Sequence, residues 1–246
     1  MQVSLESIYT WKRHLLRAVH QDRATQEVLD EVDSSKIFIM QDFAMKFLPR
    51  RFKKTQMEWF GKCGISWHIS HCVRRTSSNK SEVYVYSHLF YQSISQNSEV
   101  VAAVMCHTLH RSDCAGLYAS GGLLEPIRHI GKLTGISIKH YDFSEPQAGK
   151  GPCDRSSAHQ KFHVNRFLNE GNDVMSAEQV KKALESHGGV RSVVPYVVEY
   201  PESAGKYSTP RIPDVSLHNY QYCNDGLKVW KAYNVGTGKQ IGRAHV

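Results

Sequence analysis

Three β-rich runs follow one another without an intervening helical pattern: Lys36–Phe47, Gly64–Arg74 and Glu82–Tyr91. No other feature limits the possible folds as much. The first half of the first run is apolar enough for a buried strand, and an acid, Asp42, stands at its far end. The turn-like Thr76–Ser81 joins the second run to the third.

Beyond the third run the period changes. Val100, Val101, Val104 and Met105 predict a helix over Ser98–His110, with Ser98 as its N-cap. Gly122–Leu133 reads as a further helix with Pro126 in its first turn, and Ile136–Phe143 alternates like a strand. A glycine-rich loop over Gln147–Pro152 leads into a helix from about Cys153 to Leu168. A short helix over Ser176–His187 stops at Gly188-Gly189, and Val190–Tyr200 reads as a strand. Consecutive strands followed by alternation predict an α/β chain, a mixed sheet with helices on its faces.

This pattern divides the chain. Residues 1–35 form an N-terminal helical segment, with Leu5, Ile8, Leu15, Val19 and Leu29 mostly at three- and four-residue spacings. Residues 36–200 form the core and residues 201–240 a C-terminal extension, irregular through Pro201–Pro213. Residues 241–246, Ile-Gly-Arg-Ala-His-Val, are what ATC GGA AGA GCA CAC GTC encodes, part of a widely used short-read sequencing adapter. We read them as adapter read-through and expect the natural C-terminus to differ.

Composition narrows the setting. At 246 residues the chain can bury a sizeable core. No apolar run is long enough to cross a bilayer, and the first residues lack a signal peptide's apolar stretch. The six cysteines (Cys63, Cys72, Cys106, Cys114, Cys153, Cys223) form no C-x-x-C pair, so the expectation is an intracellular protein with free thiols. A net charge of +8 favours contact with phosphate backbones.

Three acids stand where a strand meets a loop or a helix begins: Asp42, Asp113 and Asp154. Cleaving a phosphodiester with two divalent cations needs such a set, because hard carboxylate oxygens must hold two hard ions roughly 3.5–4 Å apart. Pro152 suits the first position of its helix, which places Asp154 in the first turn, where the helix dipole favours a carboxylate. Taken alone, any one of these acids is more often structural or solvated than catalytic; the case rests on the three together.

The segments QDFAMKFLPRRFKKTQMEWFGKCGISWHI, RSDCAG and DFSEPQAGKGPCDR resemble DDE/DDD transposase-like proteins of animal mobile elements. The likeness covers about residues 5–240, and the last segment is its most specific part. It implies a ribonuclease H-like catalytic domain acting on DNA in the nucleus with Mg²⁺ or Mn²⁺. Asp42, Asp113 and Asp154 would be its catalytic metal ligands, with Glu145 the runner-up for the third place. The likeness also allows a homo-oligomer and gives no role to a membrane. Arg50, Arg51, Lys53, Lys54, Lys150 and Arg155 are the matching candidates for phosphate contact; a basic run is otherwise read as a solvated face.

The sequence departs from that pattern at one place. The family carries a further half-helix and a strand that ends in Ser-Asp-Asn-Ala-Gly. Here His110-Arg111-Ser112-Asp113 follows the helix directly, and Cys114 stands where the asparagine would be. The expectation is a sheet with one central strand deleted, and either an impaired strand-transfer nuclease or a domesticated, non-catalytic nucleic-acid-binding protein.

Other motifs carry less. Gly149-Lys150-Gly151 lacks the Walker pattern, so it is read as close backbone passage rather than nucleotide binding. Cys63, His68, His71 and Cys72 fail as a zinc set because strand alternation sends His68 and His71 to opposite faces. Cys106, His107, His110 and Cys114 share only a helical face at the two histidines, and Trp59 and Trp67 read as core aromatics. A structural protein without a nucleic-acid role would leave the motifs and the charge unexplained.

Overall fold

The computed structural model describes residues 2–53, 63–111, 134–142, 151–200, 219–223, 226–232 and 235–242. Within them, helix α1 spans Gln2–Asp30. Strands β1 (Ile37–Phe47), β2 (Ile65–Arg75) and β3 (Ser81–Phe90) follow, and then helix α2 (Ser98–Arg111). After the short strand β4 (His140–Asp142) come helices α3 (Pro152–Asn169) and α4 (Ala177–Glu185), then strand β5 (Val193–Val198). Strands β6 (Asn219–Cys223), β7 (Gly226–Trp230) and β8 (Lys239–Gly242) complete the described chain.

The strands form two sheets, each of four. The first has the order β1-β2-β3-β5, antiparallel until β5 pairs parallel to β3. It is therefore mixed, with helices on its faces. The second sheet, β4-β6-β7-β8, is antiparallel throughout. It holds the main difference from expectation. Of the predicted strand over Ile136–Phe143, described as far as Asp142, His140–Asp142 form β4, which pairs outside the first sheet. Residues 219–240, placed in a C-terminal extension, supply the other three strands together with Ile241 and Gly242 of the expected adapter read-through, which pair with Leu227 and Gly226. The helix expected over Gly122–Leu133 lies outside the described residues.

Side-chain alternation gives the first sheet two unlike faces. On one face Phe47, Ile65, Trp67, Ile69, Val85 and Leu89 meet Cys153, Val164, Phe167 and Leu168 of α3 and Val180, Ala183 and Leu184 of α4. The α3 positions recur at helical spacing, so one stripe of the helix is buried and the other is wet. Each fully buried side chain of this size contributes about 1.5–3 kcal/mol from area alone. On the opposite face Ile37, Ile39, Cys72 and Tyr86 pack with Ala102, Met105 and Leu109 of α2 and with Tyr141, Tyr220, Leu227 and Val229 of the second sheet. The C-terminal strands thus share a core with β1.

Two local signals act as the sequence leads one to expect. Helix α3 starts with Pro152 after the extended Gly151, whose backbone N–H donates to Asp154 Oδ2 at 3.2 Å. Helix α4 is capped by Ser176, whose side chain accepts from the Gln179 N–H at 3.3 Å. It is followed by Gly188 and Gly189, both at positive φ near 80°.

A candidate acid pair on the α3 face

Asp42 and Ile69 are partners in the β1–β2 register, as are Met40 and His71, so all four project from the face covered by α3. The start of α3 lies against these residues. Cys153 Sγ is 3.4 Å from the Met40 carbonyl and 3.9 Å from that of Ile69, a thiol donating to the strands beneath. Burial pushes this thiol up to about 12, with the charges of Asp42 and Asp154 adding to the effect. It is therefore a neutral anchor and no nucleophile at neutral pH.

That anchor brings two of the three candidate acids together. Asp42 titrates above the ordinary carboxylate range because neighbouring groups strip water from it and because the Asp154 carboxylate is close; a backbone hydrogen bond from Phe43 opposes both. Both side chains are exposed. One oxygen of Asp154 is engaged by the Gly151 N–H, which leaves the other available. Two neighbouring carboxylates suit a hard cation, which would relieve their repulsion. Among the described residues no group of three His, Cys, Asp or Glu is placed to hold a metal. Asp113 and Glu145 lie outside the described residues.

Where α2 ends bears on the third acid. The helix runs through Arg111, so only Ser112 separates it in the sequence from Asp113. Its last turn is fixed on the other face of the sheet: Tyr86 Oη donates to the Arg111 carbonyl at 3.1 Å, and the guanidinium lies 5.5 Å from the Tyr196 ring centroid. Along β1, only the edge facing β2 is paired among the described residues.

The basic candidates separate into two places. Arg155 adjoins Asp154, and its charge, after burial, depresses the His71 pKa. Arg50 is instead held at the far end of α3. Its backbone exchanges hydrogen bonds with Val174 at 2.7 and 2.8 Å, and Nη1 donates to Asn165 Oδ1 at 3.4 Å. Asn165 is eleven residues from Asp154, or about 16 Å along the helix axis, so Arg50 is not beside the acid pair. The Phe52 N–H donates to Asp173 Oδ1, which fixes the turn that carries Arg51 and Lys53. Lys54 and Lys150 lie outside the described residues.

Between the two places runs a stripe that the sequence reading did not single out. Arg155, His159, Phe162 and Arg166 recur at four-, three- and four-residue spacings on the outer side of α3, and all four are exposed. Phe162 is 75% exposed. Lys161, half-buried, has a pKa lowered by burial and raised in part by Asp154. The helical spacing was legible in the sequence, but which side of α3 faces water was decided by the sheet.

The opposite face holds a sealed polar cluster. His88 Nε2 and His107 Nδ1 are 3.0 Å apart, and the His68 ring meets Phe43 edge-on at 4.8 Å and His88 at 5.9 Å. Burial drives His68 down to about 3 and His88 well below its ordinary range. Alternation separates His68 from His71 as expected. Gln41, beside Asp42 but pointing the other way, donates to Ser70 Oγ at 2.9 Å.

Compared with models of protein families and with curated proteins, the chain matches none.

Proposed function

We propose that the chain is a transposase-derived, ribonuclease H-like domain that binds DNA along α3, holds a divalent cation at Asp42 and Asp154, and is impaired in strand cleavage. The observation that carries this reading is the docking of Cys153 on the Met40 and Ile69 carbonyls, which brings Asp154 of α3 to the strand that carries Asp42. Burial raises the Asp42 pKa and the neighbouring Asp154 charge adds to it, so an ionised Asp42 is costly to the fold unless a cation or ligand offsets it. A bound Mg²⁺ or Mn²⁺ would supply Lewis-acid stabilisation to phosphoryl oxygens. The protein's own groups have distinct tasks. Cys153 fixes the helix to the strands, the Gly151 N–H orients Asp154, and Arg155 and Lys161 offer positive charge to phosphates on either side of it. Phe162 gives a base a face to stack on midway along the stripe.

The non-catalytic reading draws its support from α2. Helix α2 runs to Arg111 with its end on the other face of the sheet and only Ser112 between it and Asp113, whereas two-metal chemistry requires its third ligand on a rigid support beside the first two. The test is a thermal melt with and without Mg²⁺ or Mn²⁺, run alongside nicking of supercoiled DNA. We expect divalent ions to raise the Tm of the chain but not of Asp42→Asn or Asp154→Asn, and no nicking in any case. Cation-dependent nicking that is lost in Asp42→Asn would show that cleavage survives. A Tm indifferent to both ions would remove the cation site.

A further inference from the structure

Helix α1 is turned inside out. The face it sets against the rest of the chain carries Gln21 and Ala24, which are 8% and 4% exposed. Its large apolar residues point outward: Leu5, Ile8, Tyr9, Trp11, Leu15, Leu16 and Val19 are all exposed, Trp11 at 60%, Leu16 at 61% and Val19 at 65%. Apart from Trp11 at its margin, they occupy an arc of roughly 120° on the helix. Their combined exposed area is on the order of 700 Å², above what monomers normally leave uncovered and close to the roughly 800 Å² per partner of a stable interface. The charged residues of α1, with Lys12 inside this arc, rule out a membrane span, and no described helix is long and apolar enough to be one.

We propose that this face is covered by α1 of a second copy of the chain, packed antiparallel about a two-fold axis between residues 13 and 14. The pairing follows from the heptad positions. With Leu5, Lys12 and Val19 at a and Ile8, Leu15 and Asp22 at d, antiparallel a-to-d layers place Ile8 on Val19 of the partner and Lys12 on Leu15 of the partner, each twice, and set Leu5 against Asp22 of the partner at the two ends of the seam. The flanking positions then match in size. Tyr9 meets Leu16 of the partner, and the bulky Trp11 meets the small Ala18 of the partner. A parallel pairing would instead stack Lys12 on its own copy inside the seam, where like charges repel. The antiparallel layer sets the Lys12 stem against leucine and lets its ammonium reach water. This inference stands independently of the reading of the acid pair.

Sedimentation velocity of the full chain at roughly 100 µM should show a dimer, because a partner of micromolar affinity is saturated there. Leu16→Glu combined with Val19→Glu changes only exposed positions, so near-ultraviolet circular dichroism should be unchanged while the dimer weakens by at least about 100-fold. Orientation is read from oxidation, in a Cys63→Ser background, of single-cysteine additions. A mixture of Ile8→Cys and Val19→Cys chains should form a disulfide-linked pair, and Ile8→Cys alone should not. A monomer at that concentration, a dimer indifferent to the two glutamates, or efficient linkage of Ile8→Cys to itself would each overturn the proposal. Binding of the monomer to anionic vesicles in place of dimerisation would overturn it equally.

Discussion

The two faces of the first sheet are built from adjacent residues of the same strand and differ in kind. Asp42 faces α3, exposed and beside a second carboxylate; Gln41 faces α2, half-buried and hydrogen-bonded to Ser70. On the α2 face the polar groups His68, His88 and Ser70 are sealed, neutral and packed against aromatic rings. On the α3 face the charges are open to water and the acids repel. A polar group that is buried and neutral serves packing, whereas a like-charged pair at a wet, rigid junction costs stability and is kept for what it binds. A reversal of one residue in register would exchange the two roles.

The largest effect that can break this contrast is acid destabilisation from the α2 face. The folded pKa of His68 is lowered to about 3, so below about pH 6.5 the unfolded chain binds a proton that the native chain does not. The stability contribution is therefore intact above pH 6.5 and is lost progressively as pH falls from there toward 3. From pH 7 to pH 5 His68 alone should cost roughly 2 kcal/mol, and His88 shifts in the same direction. Urea denaturation at the two pH values measures this. His68→Gln should flatten the slope whatever it does to stability at pH 7, and a wild-type curve level between pH 7 and 5 would mean that the histidines are not sealed.

The acid pair should respond with the opposite sign and a smaller amplitude. The Asp42 pKa is raised, so the native state favours its neutral form, and that preference is lost as pH rises through the folded value. Asp42→Asn should therefore raise the Tm modestly at pH 7 in the absence of divalent ions. A lowered Tm would place Asp42 among the stabilising residues and erase the difference between the faces. The smallest effect is expected at the rim. Arg155→Gln should reduce the salt dependence of DNA binding by about one phosphate contact and leave the Tm unchanged. A salt slope that does not move would take Arg155 out of the contact, leaving the far end of α3, near Arg50, as the place to look.

Some elements were legible in the sequence and others were not, for identifiable reasons. The three opening strands, α2, α3 and α4 were legible because each has a period, a start or a stop: Pro152 at the start of α3, Gly188-Gly189 after α4, and the apolar face of Ser98–His110. The last three strands were missed. Asn219–Cys223 is tyrosine-rich and polar, and Gly226–Trp230 is only five residues long. The signal that could have found them is Asn224-Asp225-Gly226 between two such runs, a hairpin composition. The basic run from Arg50 was legible as charge but not as place, since its position follows from the backbone pairing of Arg50 with Val174, 124 positions onward.

By itself the sequence determined the kinds of element, the acids at their ends and the apolar stripe of α1, because propensity, capping and periodicity act over a few neighbouring residues. Only the tertiary structure decided which of those features meet. The strand register turned Asp42 and not Gln41 toward α3, and the docking of Cys153 on Met40 and Ile69 carried Asp154 to it. The packing of Gln21 and Ala24 inward left the large side chains of α1 outside. These choices depend on contacts between residues tens of positions apart, made only when the apolar faces of the whole chain are buried together, and no local pattern encodes them.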